Sequence, residues 1–122
     1  MVAKNKIVTD IVLSVHSAPE HSRSLLAYHY AQAALALGHR IRQVFFYQSG
    51  VLHGRLQSGQ VAPVAADWLR LGEQHGFPLI LCATVVEQDF QLSAEALHSG
   101  FALGGLTEFS MAAAQAERVL QF

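Results

Sequence analysis

Two hydrophobic patterns alternate along the chain. Uninterrupted apolar runs are typical of strands buried on both faces of a parallel sheet, whereas apolar residues every three or four positions are typical of helices. The runs predict strands at 7–15, 41–47, 78–83 and 118–122. The spaced pattern predicts helices at 22–37 and 64–75, a short helix at 93–100 and an alanine-rich helix ahead of the last strand.

Glycine and proline mark the boundaries of these elements. Gly38 and Gly76 each follow a predicted helix and Gly100 closes another, at positions where a glycine commonly ends helical structure. Pro19 breaks the loop after the first strand, and the glycine-containing segment 51–63 is predicted to be a long surface loop. Strands that alternate with helices pair in parallel through helical crossovers. The sequence therefore predicts the α/β class, as a three-layer α/β/α fold with a mainly parallel sheet.

Composition adds an expectation about assembly. A chain of 122 residues is long enough for one domain with a real hydrophobic core, and we expect residues 1–122 to form a single domain. Charged residues make up only 14% of it, against about 25% in typical soluble proteins. A small domain has a high ratio of surface to volume, so this shortage of charge suggests that other subunits cover part of the surface.

Charge and cysteine content exclude several classes of function. The net charge is −1 and the basic residues are scattered, so we expect no direct binding of nucleic acid. The start of the chain superficially resembles a signal peptide, but Asp10 interrupts its apolar part, and no apolar stretch reaches the roughly 20 residues that span a membrane. A single cysteine forms no internal disulfide. The expected compartment is therefore the cytosol.

Cys82, the one cysteine, stands where the third predicted strand ends. Ligands of open α/β sheets bind beyond the carboxyl ends of the strands, so this position favours a chemical role. A helix beginning just after Cys82 would favour its reactive thiolate, whereas the nearby Glu87 and Asp89 would oppose that form. The alternative is an inert core thiol, because free cysteine is among the most buried residue types.

Other candidate groups are weaker. His16 and His21 share the loop after the first strand and could join Cys82 in a Cys/His pair for acyl transfer or in a weak metal site. Scattered histidines are more often surface or core residues, and no convincing base for a hydrolase is present. The glycines of 100–105 could cradle an anion, although a simple turn is the plainer interpretation. No CxxC, Walker A or GxGxxG motif occurs, so we expect no metal and no cofactor.

Three stretches, read together, resemble a known family. They are "FFYQSGV" at 45–51, the strand ending in Cys82, and "GFALGGLTEFSMAAAQAERVLQF" at 100–122, with a helix containing Trp68 between them. In this order they resemble TusD-type sulfurtransferases of the DsrE/DsrF-like family over essentially the whole chain. The resemblance implies a DsrE-like fold and a sulfur relay in which Cys82 is the catalytic residue and carries a persulfide. We expect three residues to line the same crevice and bind the sulfur: Tyr47, Gln48 and Ser49.

The resemblance also implies partners. Related TusB-like and TusC-like subunits would complete a heterohexamer, and upstream and downstream sulfur carriers would bring and remove the sulfur, towards 2-thiouridine at the wobble position of tRNA. We expect the segments Leu106 to Phe122 and 51–63 to lie near the interfaces between subunits. A DsrE-type role in sulfur oxidation and a non-catalytic assembly subunit are the alternatives.

The sequence departs from the family pattern in two places, one a single residue and the other a run of three. Ser49 stands where relatives often carry an acidic residue, and Glu87, Gln88 and Asp89 stand where some relatives have basic residues. The second departure leaves the electrostatic support of a thiolate to the start of the following helix.

Overall fold

The computed structural model describes residues 7–122, in which five strands alternate with helical segments. The strands are β1 (Asp10–Val15), β2 (Arg40–Phe46), β3 (Leu79–Cys82), β4 (Ala102–Gly104) and β5 (Arg118–Gln121). The helices are α1 (Ser22–Ala36), α2 (Pro63–His75) and α3 (Leu106–Gln115). Three shorter segments complete the fold: a 3-10 segment (Gln48–Gly54), a π-helical turn (Val85–Asp89) and a 3-10 turn (Ala94–Ala96).

The sheet is parallel throughout, with the strand order β4-β3-β2-β1-β5. Successive residues of a strand point to opposite faces, and β2 shows what covers each face. Phe46 packs against Trp68 of α2, and Phe45 packs against Phe109 of α3, with ring centroids 6.0 and 4.8 Å apart. Since α1 also packs on α2, through Tyr28 and Trp68, the chain forms three layers. The predicted α/β/α class is confirmed.

The two long helices follow their predicted bounds closely. α1 begins after His21, whose ring Nδ1 accepts a hydrogen bond from the backbone N–H of Arg23 and so caps the helix. Its inward face consists of small residues, including Ala27 and Ala31, which let the helix lie close to the sheet. α2 ends at Gly76 in the left-handed conformation that glycine adopts readily. No helix among residues 7–122 has both the length and the apolar character needed to cross a bilayer.

The first and fourth strands differ from the predictions. The first was predicted from residue 7, but it begins at Asp10, and Ile7 lies exposed before it. Residues 102–104 were predicted to belong to a glycine turn, yet they form β4 beside β3. Only pairing with β3 defines this strand, because it is three residues long and two of its side chains are exposed.

The predicted short helix at 93–100 is also wrong, because only Ala94–Ala96 makes a 3-10 turn. None of these three residues is buried, so a longer helix here would have no apolar face to pack. Instead, the backbone of this region forms hydrogen bonds with the end of the 3-10 segment Gln48–Gly54 and with the residues that follow it. The N–H of Leu56 donates to Ala96 and the N–H of His98 donates to Gly54, at 2.8 and 2.9 Å.

The predicted surface loop at 51–63 is wrong in its first part. Val51 and His53 are completely buried in the 3-10 segment, His53 against the ring of Phe46 at a centroid distance of 4.7 Å. Gly54 lies so close to Leu81 that a β-carbon on the glycine would overlap the leucine side chain. Val51, His53 and Gly54 are thus buried in the core, and only the rest of the segment is left to contact another subunit.

Gly50 joins β2 to the 3-10 segment at a point of close backbone approach. A β-carbon at this position would overlap the carbonyl oxygen of Val15, which already accepts the N–H of Tyr47 at 2.9 Å. Backbone cannot rotate away as a side chain can. We therefore expect Gly50→Ala to lower the free energy of unfolding by about 2 kcal/mol, measured by urea denaturation. Gly105→Ala is the matched control, since its β-carbon would meet nothing nearer than 4.0 Å. Equal unfolding midpoints for the two variants would contradict this reading of Gly50.

Candidate functional site at the carboxyl edge of the sheet

The side chain of Cys82, the last residue of β3, points to the α3 face of the sheet. Two neighbours in the same strand fix this direction. Leu81 packs towards Gly54 on the opposite face, and a methyl group of Ile80 lies 2.7 Å from the place where a β-carbon of Gly104 would stand. That place is also 3.0 Å from a carboxylate oxygen of Glu108 in α3. Because side chains alternate along a strand, Cys82 shares the face of Ile80.

Four residues form a row across this edge: two are the last residues of β4 and β3, and two directly follow β2 and β1. Cys82 pairs with Gly104 of β4. On its other side Phe46 pairs with Leu81, so the next residues, Tyr47 and Cys82, also stand side by side. Beyond Tyr47 lies His16, which follows β1 and meets the tyrosine ring edge-on at a centroid distance of 5.3 Å. Gly104, Cys82, Tyr47 and His16 are called the edge row below.

Cys82 is buried, with only 2% of its surface exposed. Solvent therefore has almost no access to the thiol in this chain alone. The reason lies in the segment that follows at once, a helical turn whose Val85 and Val86 pack into the core. Glu87 and Asp89 of the same turn are exposed. The sequence places the cysteine at the end of its strand correctly, but exposure depends on how the next turn folds back.

Of the three residues predicted to bind the transferred sulfur, the structure brings one beside Cys82. Tyr47 is half-buried in the edge row and stacks on Phe45, with centroids 6.2 Å apart. Gln48 and Ser49 are exposed on the first turn of the 3-10 segment, where the chain turns away from β2. Gln48 adopts a left-handed backbone conformation with φ of 51°, which is uncommon for a residue other than glycine.

His16 borders an open pocket of about 340 Å³ on the α3 face. Its ring Nε2 lies 2.6 Å from the hydroxyl oxygen of Ser14, which is buried. Burial lowers the pKa of His16 below its ordinary value, and the nearby polar side chain of Gln48 acts in the opposite direction. The rest of the lining is Phe45, Tyr47, Leu106, Phe109, Val119 and Gln121.

The structure also shows where the alternative site residues predicted from the sequence lie. His21 caps α1 and does not belong to the edge row. Among residues 7–122, no three histidine, cysteine, aspartate or glutamate side chains come together in a way that could hold a metal ion. The proposed anion cradle at 100–105 is occupied from within, because a carboxylate oxygen of Glu108 accepts the N–H of Gly105 at 3.2 Å. The sequence gives only a weak indication of the position of His16 in the edge row. That indication is that Ser14 and His16 are alternate polar residues at the end of an apolar strand.

Burial of Cys82 leads to a direct test of thiol access. We expect the folded protein to react with a disulfide reagent that releases a coloured thiolate at least about tenfold more slowly than the same chain in urea. A small reagent must wait for a local opening to reach a buried sulfur. The measurement is the absorbance time course under both conditions, and Cys82→Ser shows the background. Equal rates in the two conditions would show that the thiol is open in the folded chain.

Comparisons with known proteins agree with this architecture. The sequence profile of the DsrE/DsrF-like family matches residues 7–122. The chain is 37% identical over 109 residues to sulfurtransferase TusD of Serratia proteamaculans, covering 79% of this chain and 84% of that protein. It is 35% identical over 106 residues to a sulfurtransferase TusD homolog of Pasteurella multocida, covering 78% and 84%.

Solved structures share the fold at low sequence identity. The ychN protein from E. coli superposes with a TM-score of 0.74 at 18% identity, over 95% of this chain and all of that one. A protein of unknown function from Methanobacterium thermoautotrophicum, MTH1491, superposes with a TM-score of 0.74 at 16% identity, over 92% and 98% of the two chains. These two likenesses concern the arrangement of strands and helices.

Proposed function

Because this chain belongs to the DsrE/DsrF-like family and is a sulfurtransferase, we propose that Cys82 carries the transferred sulfur as a persulfide. The observation that supports this assignment is the place of Cys82 in the edge row. The only cysteine of the chain ends a central strand at the sheet edge where α/β proteins bind their ligands.

The chemistry is two exchanges at sulfur. In the first, the Cys82 thiolate attacks the outer sulfur of a donor persulfide, R–S–SH, which forms Cys82–S–SH and releases R–S⁻. In the second, the thiolate of an acceptor attacks the outer sulfur of Cys82–S–SH, which breaks that S–S bond and regenerates the Cys82 thiolate. One sulfur atom moves from donor to acceptor without net oxidation. Both steps follow the rules of thiol–disulfide exchange.

Tyr47, Gln48 and Ser49 surround the approach to the thiol in this proposal. Tyr47 flanks Cys82 within the edge row, and its half-buried ring forms one wall beside the outer sulfur. Gln48 and Ser49 are exposed just beyond, where they can donate hydrogen bonds to the sulfur pair or to the backbone of a docked carrier.

A docked carrier must also uncover the thiol. The turn that follows Cys82 is the segment we expect to move, because π-helical turns are rare and recur at functional sites. Two backbone hydrogen bonds join this turn to the chain that follows it: Phe90 N–H to Val85 and Leu92 N–H to Val86, at 3.1 and 3.0 Å. Displacing one turn exposes the sulfur and leaves the sheet intact.

The assembly partners are TusB-like and TusC-like subunits in this proposal, in a heterohexamer. α3 supports the idea, because none of its residues is buried in this chain and the apolar Leu106 and Met111 are 52% and 62% exposed. Val119 of β5 adds a third exposed apolar side chain on the same sheet face. A related subunit packed on Leu106 to Phe122 would cover this surface.

We further propose that the relay leads to 2-thiolation of wobble uridine in tRNA and acts in the cytoplasm. The name of the relatives supports the pathway, and the single cysteine suits a reducing compartment. The test of the proposed chemistry is the loading of Cys82 with one sulfur atom. Intact mass before and after incubation with a persulfide donor detects the adduct, and peptide mass after proteolysis locates it.

A further inference from the structure

We propose that His16 transfers protons for the partner's thiol in this relay: it deprotonates the acceptor thiol as that sulfur attacks, and later protonates the thiolate that the donor leaves behind. This role rests on the proposed persulfide chemistry at Cys82. It concerns a residue that lies two strands away from the thiol and would serve the incoming protein's sulfur instead of the sulfur of Cys82.

The spacing of the edge row brings His16 close to the position that the partner's sulfur would take in this proposal. Neighbouring strands are about 4.8 Å apart, so Tyr47 separates the backbones of Cys82 and His16 by roughly 10 Å. The S–S bond of a persulfide is about 2 Å long, and an attacking sulfur lies in line with it. If the persulfide leans across Tyr47, the partner's sulfur is therefore roughly 4 to 5 Å from the sulfur of Cys82. That point would lie over Tyr47, whose ring centroid is 5.3 Å from that of His16.

The surroundings of His16 suit a proton carrier near neutral pH. The Ser14 hydroxyl oxygen lies 2.6 Å from Nε2 and fixes the ring, which leaves Nδ1 to exchange the proton. Burial keeps the pKa of His16 below its ordinary value near 6.5, so the ring is neutral at pH 7 and can accept a proton. The pocket beside it is open, so a partner's side chain can enter.

Among residues 7–122, few other ionisable groups face this position. Within the pocket lining, the only one besides His16 is Tyr47, which directly follows β2. From α3 and β5 the lining contains uncharged residues alone: Leu106, Phe109, Val119 and Gln121. Glu108 of α3 lies over Gly104, at the far end of the edge row. Gln48 approaches the ring but carries no charge.

The proton balance closes over one full cycle. In delivery, R′–SH gives its proton to His16, and R′–S⁻ attacks Cys82–S–SH to give R′–S–SH and the Cys82 thiolate. In loading, the Cys82 thiolate attacks R–S–SH to give Cys82–S–SH and R–S⁻, which takes the proton back from His16. The net reaction is R–S–SH plus R′–SH giving R–SH plus R′–S–SH.

Two acceptors of different acidity provide the test. The full chain is first loaded to Cys82–S–SH, and delivery is then followed in single turnovers at acceptor concentrations where the rate is proportional to concentration. With β-mercaptoethanol, which is protonated at pH 7, we expect His16→Asn to be at least about tenfold slower than wild type. With a nitro-substituted aromatic thiolate, which is already deprotonated, we expect the two proteins to be equally fast.

The pH profile and a control variant complete the design. With β-mercaptoethanol, the wild-type rate relative to His16→Asn should fall as pH decreases and His16 becomes protonated. His29→Asn, on the exposed side of α1, should match wild type with both acceptors. If His16→Asn does not fold, as judged by circular dichroism, His16→Gln replaces it in the same assays.

Each outcome has one meaning. Equal delivery by His16→Asn and wild type to β-mercaptoethanol would overturn the role of His16, and so would an equal loss with both acceptors. If wild-type Cys82 takes up no sulfur at all, the proposed function fails first, and that failure is visible before any acceptor is added.

Discussion

Cys82→Ser is expected to take up no sulfur from a persulfide donor, where wild type gains one sulfur atom on the peptide that contains residue 82. A serine hydroxyl at neutral pH is too weakly acidic to supply the anion that attacks sulfur. The chain has no second cysteine that could take over. Sulfur delivery to an acceptor should therefore fall to the background of the uncatalysed exchange.

Loss of folding must be separated from loss of chemistry in this experiment. Residue 82 is buried, and an unpaired hydroxyl there costs about 1–3 kcal/mol in stability. Cys82→Ala is the second variant, because it removes the nucleophile without burying a hydroxyl. Both variants are compared with wild type by urea denaturation before loading. Sulfur uptake by either folded variant at the wild-type level would refute the assignment of Cys82.

Acidification from pH 6.5 to pH 4 is expected to remove roughly 3 kcal/mol of stability through His53 alone. This side chain is completely buried in the 3-10 segment. Its Nδ1–H donates to the carbonyl oxygen of Gly50 at 2.8 Å, and Nε2 has no hydrogen-bond partner within the described part of the chain, residues 7–122. Burial lowers the pKa of His53 to about 4. A proton on Nε2 would place an unpaired charge in the core.

The sign follows from the two states. In the unfolded chain His53 titrates near 6.5, and in the folded chain near 4. Between these two pH values the unfolded state binds more protons than the folded state. The contribution of neutral His53 to the free energy of unfolding is therefore fully present above pH 6.5 and is lost as the pH decreases towards 4. His16 contributes in the same direction, since burial also lowers its pKa. The pKa of Asp10 lies below its ordinary value of 3.8, mainly because Arg40 donates a hydrogen bond to its carboxylate. The stability that this ionised carboxylate contributes is therefore lost only at a lower pH than that of His53.

A difference between variants isolates His53. The free energy of unfolding of wild type and of His53→Gln is measured in urea at pH 7 and at pH 4.5, and the change for each is compared. We expect the pH dependence to be smaller in His53→Gln, because glutamine does not ionise. His29→Gln, an exposed histidine, should keep the wild-type dependence. If His53→Gln loses as much stability as wild type between the two pH values, another group is responsible.

The elements that the sequence predicts well are those whose signal is local. α1 ends within one residue of its prediction, because its apolar spacing and Gly38 are contained in one segment. The strand ending in Cys82 and the helix around Trp68 are correct for the same reason. β4 and the 3-10 segment were missed because pairing with β3 and packing on Phe46 define them, and both contacts come from distant parts of the chain.

In the candidate site, too, the features with a local sequence signal were predicted and those that depend on distant contacts were not. The positions of Cys82 and Tyr47 at ends of strands follow from strand prediction and the general rule for α/β sheets. That they are neighbours depends on the order of β2 and β3 and on their register. The contact between His16 and Tyr47 depends on the register of β1 and β2, which no local pattern contains. Burial of Cys82 likewise depends on the path of the turn that follows it.

The place of β1 in the strand order has a consequence for folding kinetics. β1 lies between β2 and β5, and the backbone N–H of Asp10 donates to a side-chain oxygen of Glu117, 107 residues further along the chain. Contacts of such long range must close a large loop before they stabilise anything, so they slow folding. During synthesis one edge of the apolar β1 stays open until residues 118–121 have emerged. An open apolar edge can pair with other chains, so misfolding of the nascent chain should concentrate at this edge.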